Sequence, residues 1–182
     1  VGSNAVLYVA PRIYGAMGFE NPMILTVFNG IVNLAFTCVA IFTVEKLGRK
    51  PLLIVGSLGM AIGAIGVACT FGTDYQLLCM ISLMVYSASF MFSWGPICWV
   101  LIAEVFPNTI RGGAVAIAVA FQWIFNWIVS TSFVPMANSL GYWFTYGLYG
   151  VICVIAAIFV WKLVPETKGK TLEDMTKLWK KK

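Results

Sequence analysis

Long apolar stretches, separated by short polar or charged segments, make up almost the whole chain. A helix needs about 20 residues to cross the hydrocarbon core of a bilayer, and each stretch is close to that length. Lipid-embedded stretches form helices because each must satisfy its own backbone hydrogen bonds, whereas barrel strands would alternate apolar and polar positions. The pattern predicts six spans, at about 1–16, 23–44, 52–71, 77–102 with an interruption at Gly95-Pro96, 114–136 and 142–163.

The composition agrees with a membrane environment. Of the 182 residues, 60% are hydrophobic and only 10% are charged, whereas a soluble domain carries about a quarter charged residues. We therefore predict an all-α polytopic membrane protein, with a six-helix bundle over 1–163 and a tail over 164–182. The chain begins at Val1, inside an apolar run. We expect it to be cut from a longer protein, with its first helix truncated at the start.

Basic residues cluster on one side of this six-span topology, at Lys46, Arg49, Lys50, Arg111, Lys168, Lys170, Lys177, Lys180, Lys181 and Lys182. The loops on the opposite side carry Glu20 and Asp74, with Arg12 as the exception. By the positive-inside rule the basic side, which includes the C-terminus, is cytoplasmic. The formal charge of +5 is then a signal of topology and not of nucleic-acid binding.

The tail carries a second, weaker pattern. Pro165 ends the last span, and Thr171 stands where an N-cap with following acidic residues would start a new helix. Apolar residues then recur at helical spacing among lysines, at Leu172, Met175, Leu178 and Trp179. This pattern predicts a short amphipathic helix under the bundle or on the inner leaflet. A solvated tail is the alternative.

Metal and catalytic chemistry find little support in the sequence. The five cysteines lie within apolar stretches, and the chain contains no histidine, so zinc or haem ligation is not expected. The serines and threonines lack a histidine base, and the acids are scattered over separate loops, so we predict no enzyme. A channel is not expected either, because the sequence shows neither a ring of charges nor a carbonyl filter.

Three charged motifs mark the basic side of the bundle, at 45–51 (EKLGRKP), 104–111 (EVFPNTIR) and 165–169 (PETKG). Together they resemble the sugar porter family of the major facilitator superfamily, over essentially the whole chain. The run from Ser93 to Val100 and on through Arg111-Gly112 is most similar to the bacterial D-xylose:proton symporters. Animal facilitative glucose carriers share much of this framework.

This resemblance implies that the chain is the C-terminal six-helix half of a carrier whose two halves rock about a central site. It also implies an intracellular gate of salt bridges among Glu45, Arg49, Glu104 and Arg111. Ion pairs at helix ends can form in one state and be solvated in the other, which biases a two-state equilibrium. Static anchoring of the helices is the alternative for these residues.

A sugar site needs amide and hydroxyl groups beside aromatic rings, and amides within apolar spans are costly unless they are used. In the resembling symporters the positions of Asn4, Tyr8, Trp99 and Gln122 hydrogen-bond the sugar. The resemblance also implies pocket-lining or polar roles for Phe90, Gly95, Trp123 and Asn33. The residues themselves leave two alternatives open, which are interhelical hydrogen bonds for the amides and packing or lipid contact for the aromatics.

The function implied is D-xylose:proton symport by alternating access across the bacterial inner membrane, with no cofactor besides the proton. The expected partners are a sugar, the lipid bilayer and the missing N-terminal half, which would carry the acid and arginine that couple transport to protons. A hexose carrier, facilitative or proton-coupled, and a non-transporting sugar sensor on the same fold are the alternatives.

Overall fold

The computed structural model describes residues 2–8, 10–18 and 20–169, which form helices and short connections without a strand. The helices are α1 (Ser3–Tyr8), α2 (Ala10–Ala16), α3 (Pro22–Leu47), α4 (Arg49–Thr70), α5 (Gln76–Phe92), α6 (Trp94–Val105), α7 (Arg111–Leu140) and α8 (Tyr142–Leu163). Within this described part, five segments are long and apolar enough to cross a membrane, with α5 and α6 counted as one. The all-α membrane fold is therefore confirmed.

The helices follow the predicted spans. Helices α1 and α2 occupy the first predicted span on either side of Val9, which lies outside the described residues. Helices α3 and α7 each extend several residues beyond the apolar stretch that predicted them. The reason is that helical hydrogen bonding continues past the apolar core, whereas hydropathy marks the core alone. The predicted amphipathic helix of the tail lies outside the described residues.

The interruption of the fourth span falls at Ser93, two residues before the predicted Gly95-Pro96. Helix α5 ends at Phe92 and α6 begins at Trp94, so Pro96 sits in the first turn of α6. Proline has no N–H to donate to the carbonyl four residues earlier, which here belongs to Phe92. The helix therefore breaks one turn ahead of the proline, and the Ser93 hydroxyl donates to the Ser89 carbonyl at 2.7 Å.

The tightest packing joins α4 to α5 and α8. Along α4, glycines face α5 so closely that a Cβ on Gly63 would lie 2.6 Å from the Tyr86 backbone nitrogen. At Gly56 an added Cβ would lie 1.7 Å from the Ser93 hydroxyl. Small residues let membrane helices approach to backbone contact, where dispersion replaces the missing hydrophobic driving force. Buried Tyr146 and Cys153 of α8 belong to the same core cluster, where the Tyr146 ring lies 6.2 Å from that of Tyr86 on α5.

Helices α3 and α7 expose large apolar side chains along most of their length. Leu34 and Phe42 of α3 are 67% and 75% exposed, and Trp127 of α7 is 68% exposed. Such a continuous apolar surface is unfavourable in water and is normal for a surface in contact with lipid or with another bundle. The main core of the molecule therefore lies away from these surfaces, where α4, α5 and α8 meet α1 and α2.

Candidate functional site

A cavity of about 1050 Å³ lies beside α6 and α7, and residues from α1, α3, α5 and α8 complete its lining. The predicted site residues that line it are Asn4, Phe90, Gly95, Trp99 and Gln122. They come from four different helices, so tertiary packing brings them together. The cavity is large enough for a monosaccharide, because ligand pockets commonly measure about 300–1,000 Å³.

The polar wall of the cavity is built from amides on α1 and α7. Asn126, one helical turn after Gln122, also lines the cavity, and its Oδ1 accepts a hydrogen bond from Asn4 Nδ2 at 2.9 Å. This bond uses one of the two amide protons of Asn4 and leaves its other proton and its oxygen available. Gln122 and Asn126 stand at i and i+4, which places both amides on one face of α7.

The aromatic wall comes from the broken segment α5–α6. Trp99 is 43% exposed and lines the cavity with Phe90. Trp94, which lines it too, donates its indole N–H to the Ser57 hydroxyl of α4 at 2.7 Å. Phe90 lies in the last turn of α5, and Trp99 lies in α6. The break at Ser93 lets α6 run in a different direction from α5, so it sets how the two rings face each other. Flat rings beside amides suit a sugar, whose C–H faces are apolar and whose hydroxyls are polar.

Among the described side chains, two predicted site residues, Trp123 and Asn33, do not line the cavity. Trp123 follows Gln122 on α7, and its side chain is 55% exposed, because successive residues of a helix point roughly 100° apart. Tyr8 closes α1, and its side chain lies outside the described part of the structure. Asn33 is buried between α3 and α5, where the Ser87 hydroxyl lies 2.9 Å from its Oδ1. A sugar contact for each of these residues stays a prediction.

A second cluster lies at the charged edge of the bundle, defined here as residues 45–50, 104–111 and 165–168. Arg49 Nη2 forms an ion pair with Glu104 Oε1 at 2.7 Å, joining the start of α4 to the end of α6. The other oxygen of Glu104 accepts a hydrogen bond from the Thr167 hydroxyl at 2.6 Å. Both oxygens of this carboxylate are thus used, which fixes α6 against the start of α4 and the segment after α8.

Glu166 also holds the charged edge together, a role that its motif alone did not predict. Its oxygens accept hydrogen bonds from the backbone N–H groups of Arg49 and Lys50, both at 3.0 Å. These are unpaired donors of the first turn of α4, so the carboxylate caps the helix. The approach requires Gly48, with φ +93, because a Cβ there would lie 2.7 Å from Glu166 Oε2.

The environment of Glu166 shifts its pKa in a definite direction. Partial burial raises the pKa, but backbone N–H groups of Lys168, Arg49, Lys50 and Thr167 donate hydrogen bonds that together outweigh burial. The net result is a pKa below the usual value, since each of these donors stabilises the ionised form. The carboxylate is therefore charged at neutral pH.

The predicted gate is only partly assembled in this structure. Arg49 and Glu104 are paired, whereas no ion pair joins Glu45 or Arg111 to another residue in the described ranges. Glu45 is exposed, and Arg111 Nε is buried without a hydrogen-bond partner among the described residues. The gating role of the four residues stays a prediction.

A family model described as "Sugar (and other) transporter" matches residues 1–179 of the chain. The chain belongs to this sugar transporter family. The match covers the helices that build both the cavity and the charged edge. The resemblance drawn from the three charged motifs is therefore confirmed.

Curated relatives of this sugar transporter chain include the D-xylose-proton symporter of Escherichia coli strain K12, which is 48% identical over 98% of the chain and 38% of that protein. A glucose transport protein of Synechocystis is 41% identical over 96% of the chain and 40% of that protein. The chain thus spans about two fifths of the length of the curated relatives it matches. These relatives are transporters and not enzymes, as the sequence predicts.

Solved structures support the same fold. The proton:xylose symporter XylE of the major facilitator superfamily, bound to 6-bromo-6-deoxy-D-glucose, matches with a TM-score of 0.88 and 46% identity over 97% of the chain and 39% of that chain. An inward open conformation of the E. coli xylose transporter XylE matches with a TM-score of 0.82 and 44% identity over 98% of the chain and 42% of that chain. The bundle therefore has the helical arrangement of this superfamily.

Proposed function

We propose that the chain is the C-terminal half of a carrier that moves D-xylose across a bacterial inner membrane together with protons. The main support is the cavity, where amides of α1 and α7 face aromatic rings of the broken segment α5–α6. This chemistry fits a neutral polyhydroxylated ring. The identity to D-xylose-proton symporters adds support for the pentose and for the proton.

The proposed sugar contacts fall into two groups. Asn4, Gln122 and Trp99 line the cavity and are available for hydrogen bonds, while Phe90 and Gly95 shape its wall. Tyr8, Asn33 and Trp123 are proposed to join them when the N-terminal half is packed on this face. Closure around a substrate at the interface of two halves is the usual arrangement in such carriers.

The charged edge is proposed to be the cytoplasmic end of the bundle and its gate. Arg49 and Glu104 form the pair present here, and Glu45 and Arg111 are the further members. The concentration of basic side chains at this edge supports a cytoplasmic orientation, with the C-terminus on that side.

A hexose is the second candidate substrate. Relatives of the chain include a glucose transport protein of Synechocystis, 41% identical, and a glucose facilitated diffusion protein of Zymomonas mobilis, 38% identical. The cavity has room for one more hydroxymethyl group than a pentose carries. A facilitated carrier would move sugar without protons.

Uptake of labelled D-xylose and D-glucose tests both candidates in cells that lack their own sugar carriers and express the complete carrier. We expect xylose uptake that collapses when a protonophore is added. Trp99→Ala should lower uptake about tenfold or more, as removal of an aromatic anchor commonly does. Trp127→Ala is the matched control, because Trp127 is 68% exposed and does not line the cavity.

Each outcome separates one part of the proposal. Uptake that persists with the protonophore would replace symport by facilitated diffusion. Uptake of glucose without xylose would select the hexose. Equal losses for Trp99→Ala and Trp127→Ala would contradict the assignment of the cavity as the sugar site.

A further inference from the structure

Three buried polar side chains meet between α3 and α5. Asn29, Asn33 and Ser87 are 2%, 6% and 2% exposed. The Ser87 hydroxyl oxygen lies 2.8 Å from Asn29 Oδ1 and 2.9 Å from Asn33 Oδ1. Polar groups buried among apolar helices are costly unless they are paired, so this contact constrains all three side chains.

The proton inventory of this cluster forces its two amides into opposite orientations. A serine hydroxyl has one proton and can donate fully to one of the two amides. The other amide must be rotated so that its N–H donates to the Ser87 oxygen, since amide oxygen and nitrogen exchange places on a half-turn. The Met84 carbonyl, 3.5 Å from the hydroxyl, is too distant to be a competing acceptor.

The Ser87 proton is assigned to Asn29 on two differences between the amides. Asn29 is the more deeply buried amide and has the shorter distance to the hydroxyl. Asn33 then donates an N–H to Ser87, and its carbonyl oxygen is left to accept a hydrogen bond from another group. Without an amide at position 29 the hydroxyl would donate to Asn33, which would present its N–H instead.

The cluster lies one helical turn from the cavity on both helices. Thr37, four residues after Asn33 on α3, lines the cavity. Phe90 and Met91, three and four residues after Ser87 on α5, line it as well. On α3, Asn33 therefore stands one turn from Thr37 of the cavity wall and one turn from Asn29.

We infer that Asn29 and Ser87 are positioning residues, which orient the Asn33 amide so that its carbonyl oxygen accepts a hydrogen bond from a hydroxyl of the transported sugar. The inference rests on the proposed function, in which Asn33 is a sugar contact. The inference also predicts specificity: since the Asn33 carbonyl accepts a hydrogen bond, the carrier requires a sugar hydroxyl that can donate at that position. A fluorine at the same sugar position accepts but does not donate.

The test is a double-mutant cycle on the purified complete carrier, with D-xylose affinity measured by calorimetry. Asn29→Leu keeps the branched shape of the side chain, with larger methyl groups, and removes the amide; we expect affinity to fall about three- to tenfold, the size of one hydrogen bond. In an Asn33→Ala background the same substitution should cause no further loss. Ser87→Ala should behave as Asn29→Leu does, and Ser87→Thr, which keeps the hydroxyl, should restore affinity to within about twofold.

The affinities of monofluorinated xyloses provide a second measurement, which would not change if Asn29 and Ser87 had a purely structural role. One of these sugars should bind the unaltered carrier poorly, and Asn29→Leu should reduce that discrimination because Asn33 then presents an N–H. Ser82→Ala is the control on α5, since that hydroxyl donates to the Leu78 carbonyl of its own helix. Melting temperatures without sugar identify any variant that fails to fold, and the Ser87→Ala and Ser87→Thr pair then carries the test.

Different results would contradict the positioning role of Asn29 and Ser87 and the proposed function. Equal losses from Asn29→Leu in both backgrounds, or full affinity in Asn33→Ala, would overturn the positioning role while leaving the sugar site in place. Absence of xylose and glucose binding by the unaltered carrier would remove the proposed function and this inference with it.

Discussion

Helices α4 and α7 have similar apolar character but opposite environments. Half of the most apolar 18 residues of α4 are buried, whereas none of the most apolar 18 residues of α7 are. Helix α4 meets α5 through glycines at backbone contact, while α7 presents amides to the cavity and bulky side chains to its surroundings. In a bundle of uniformly apolar helices, residue size and the placement of a few polar groups thus separate the rigid part from the binding part.

The largest expected effect comes from filling the space between α4 and α5. Gly63→Ala would place a Cβ 2.6 Å from the Tyr86 backbone nitrogen and 2.7 Å from the Ser82 carbonyl oxygen, so the helices must separate. We expect a loss of about 1–3 kcal/mol of stability, the usual result of overpacking. Thermal unfolding of the complete carrier in detergent measures it.

Gly113→Ala on α7 is the matched control for this prediction. An added Cβ there would meet nothing within 4 Å, and alanine is the better helix former by up to about 1 kcal/mol. Its melting temperature should be unchanged or slightly raised. If both substitutions destabilise the carrier equally, the contrast between a packed α4 and an open α7 is wrong.

An intermediate effect is expected for the amide face of α7. Gln122→Ala should weaken sugar binding about tenfold, the loss of one hydrogen bond at the upper end of its usual range. The melting temperature without sugar should stay the same, because Gln122 lines the cavity. Ser132→Ala, whose hydroxyl donates to the Ile128 carbonyl of α7 itself, should leave affinity unchanged. A drop in sugar-free stability would place Gln122 in the rigid part instead.

The smallest effect concerns the charged edge, where α4 begins. The pKa of Glu166 is lowered, since backbone N–H donors outweigh the effect of burial. Its contribution to stability is therefore complete above the unfolded pKa of about 4.3 and is lost as the pH falls through the lower folded pKa. We expect Glu166→Gln to lower the melting temperature by about 2 °C at pH 7.

Melting curves of Glu166→Gln and the unaltered carrier from pH 7 to pH 3 check the sign of this effect. The difference between the two proteins should be constant down to about pH 5 and should shrink below the unfolded pKa of about 4.3. A difference that grows as the pH falls would mean that the ionised carboxylate does not cap α4.

Much of the fold was predictable because apolar length and charged edges are local properties of the chain. The five long apolar segments follow predicted spans, and a proline predicted the break in the segment that α5 and α6 form. Its position was two residues off, since the clash of a proline falls on the preceding turn. Sequence also predicted Asn4, Trp99 and Gln122, which meet in the cavity, although largely through resemblance to known symporters.

Other features of the site could not be predicted from local sequence patterns. Nothing in the spacing of Asn29 and Asn33 indicated that both face Ser87, 54 residues or more along the chain. Glu166 was visible as part of a motif, but its capping of α4 depends on where the segment after α8 returns. Contacts between distant helices follow from crossing angles and close approach, which hydropathy does not encode.

The sequence by itself determined three things: that the chain is a membrane protein, which segments form its helices, and to which family it belongs. Only the tertiary structure decided which polar side chains face the cavity, which are paired between helices and which ion pair forms at the charged edge. The physical reason is the solvent: lipid favours apolar residues on every side of a helix, so the binding face carries no hydrophobic periodicity. That face is set by close packing of small residues elsewhere in the bundle.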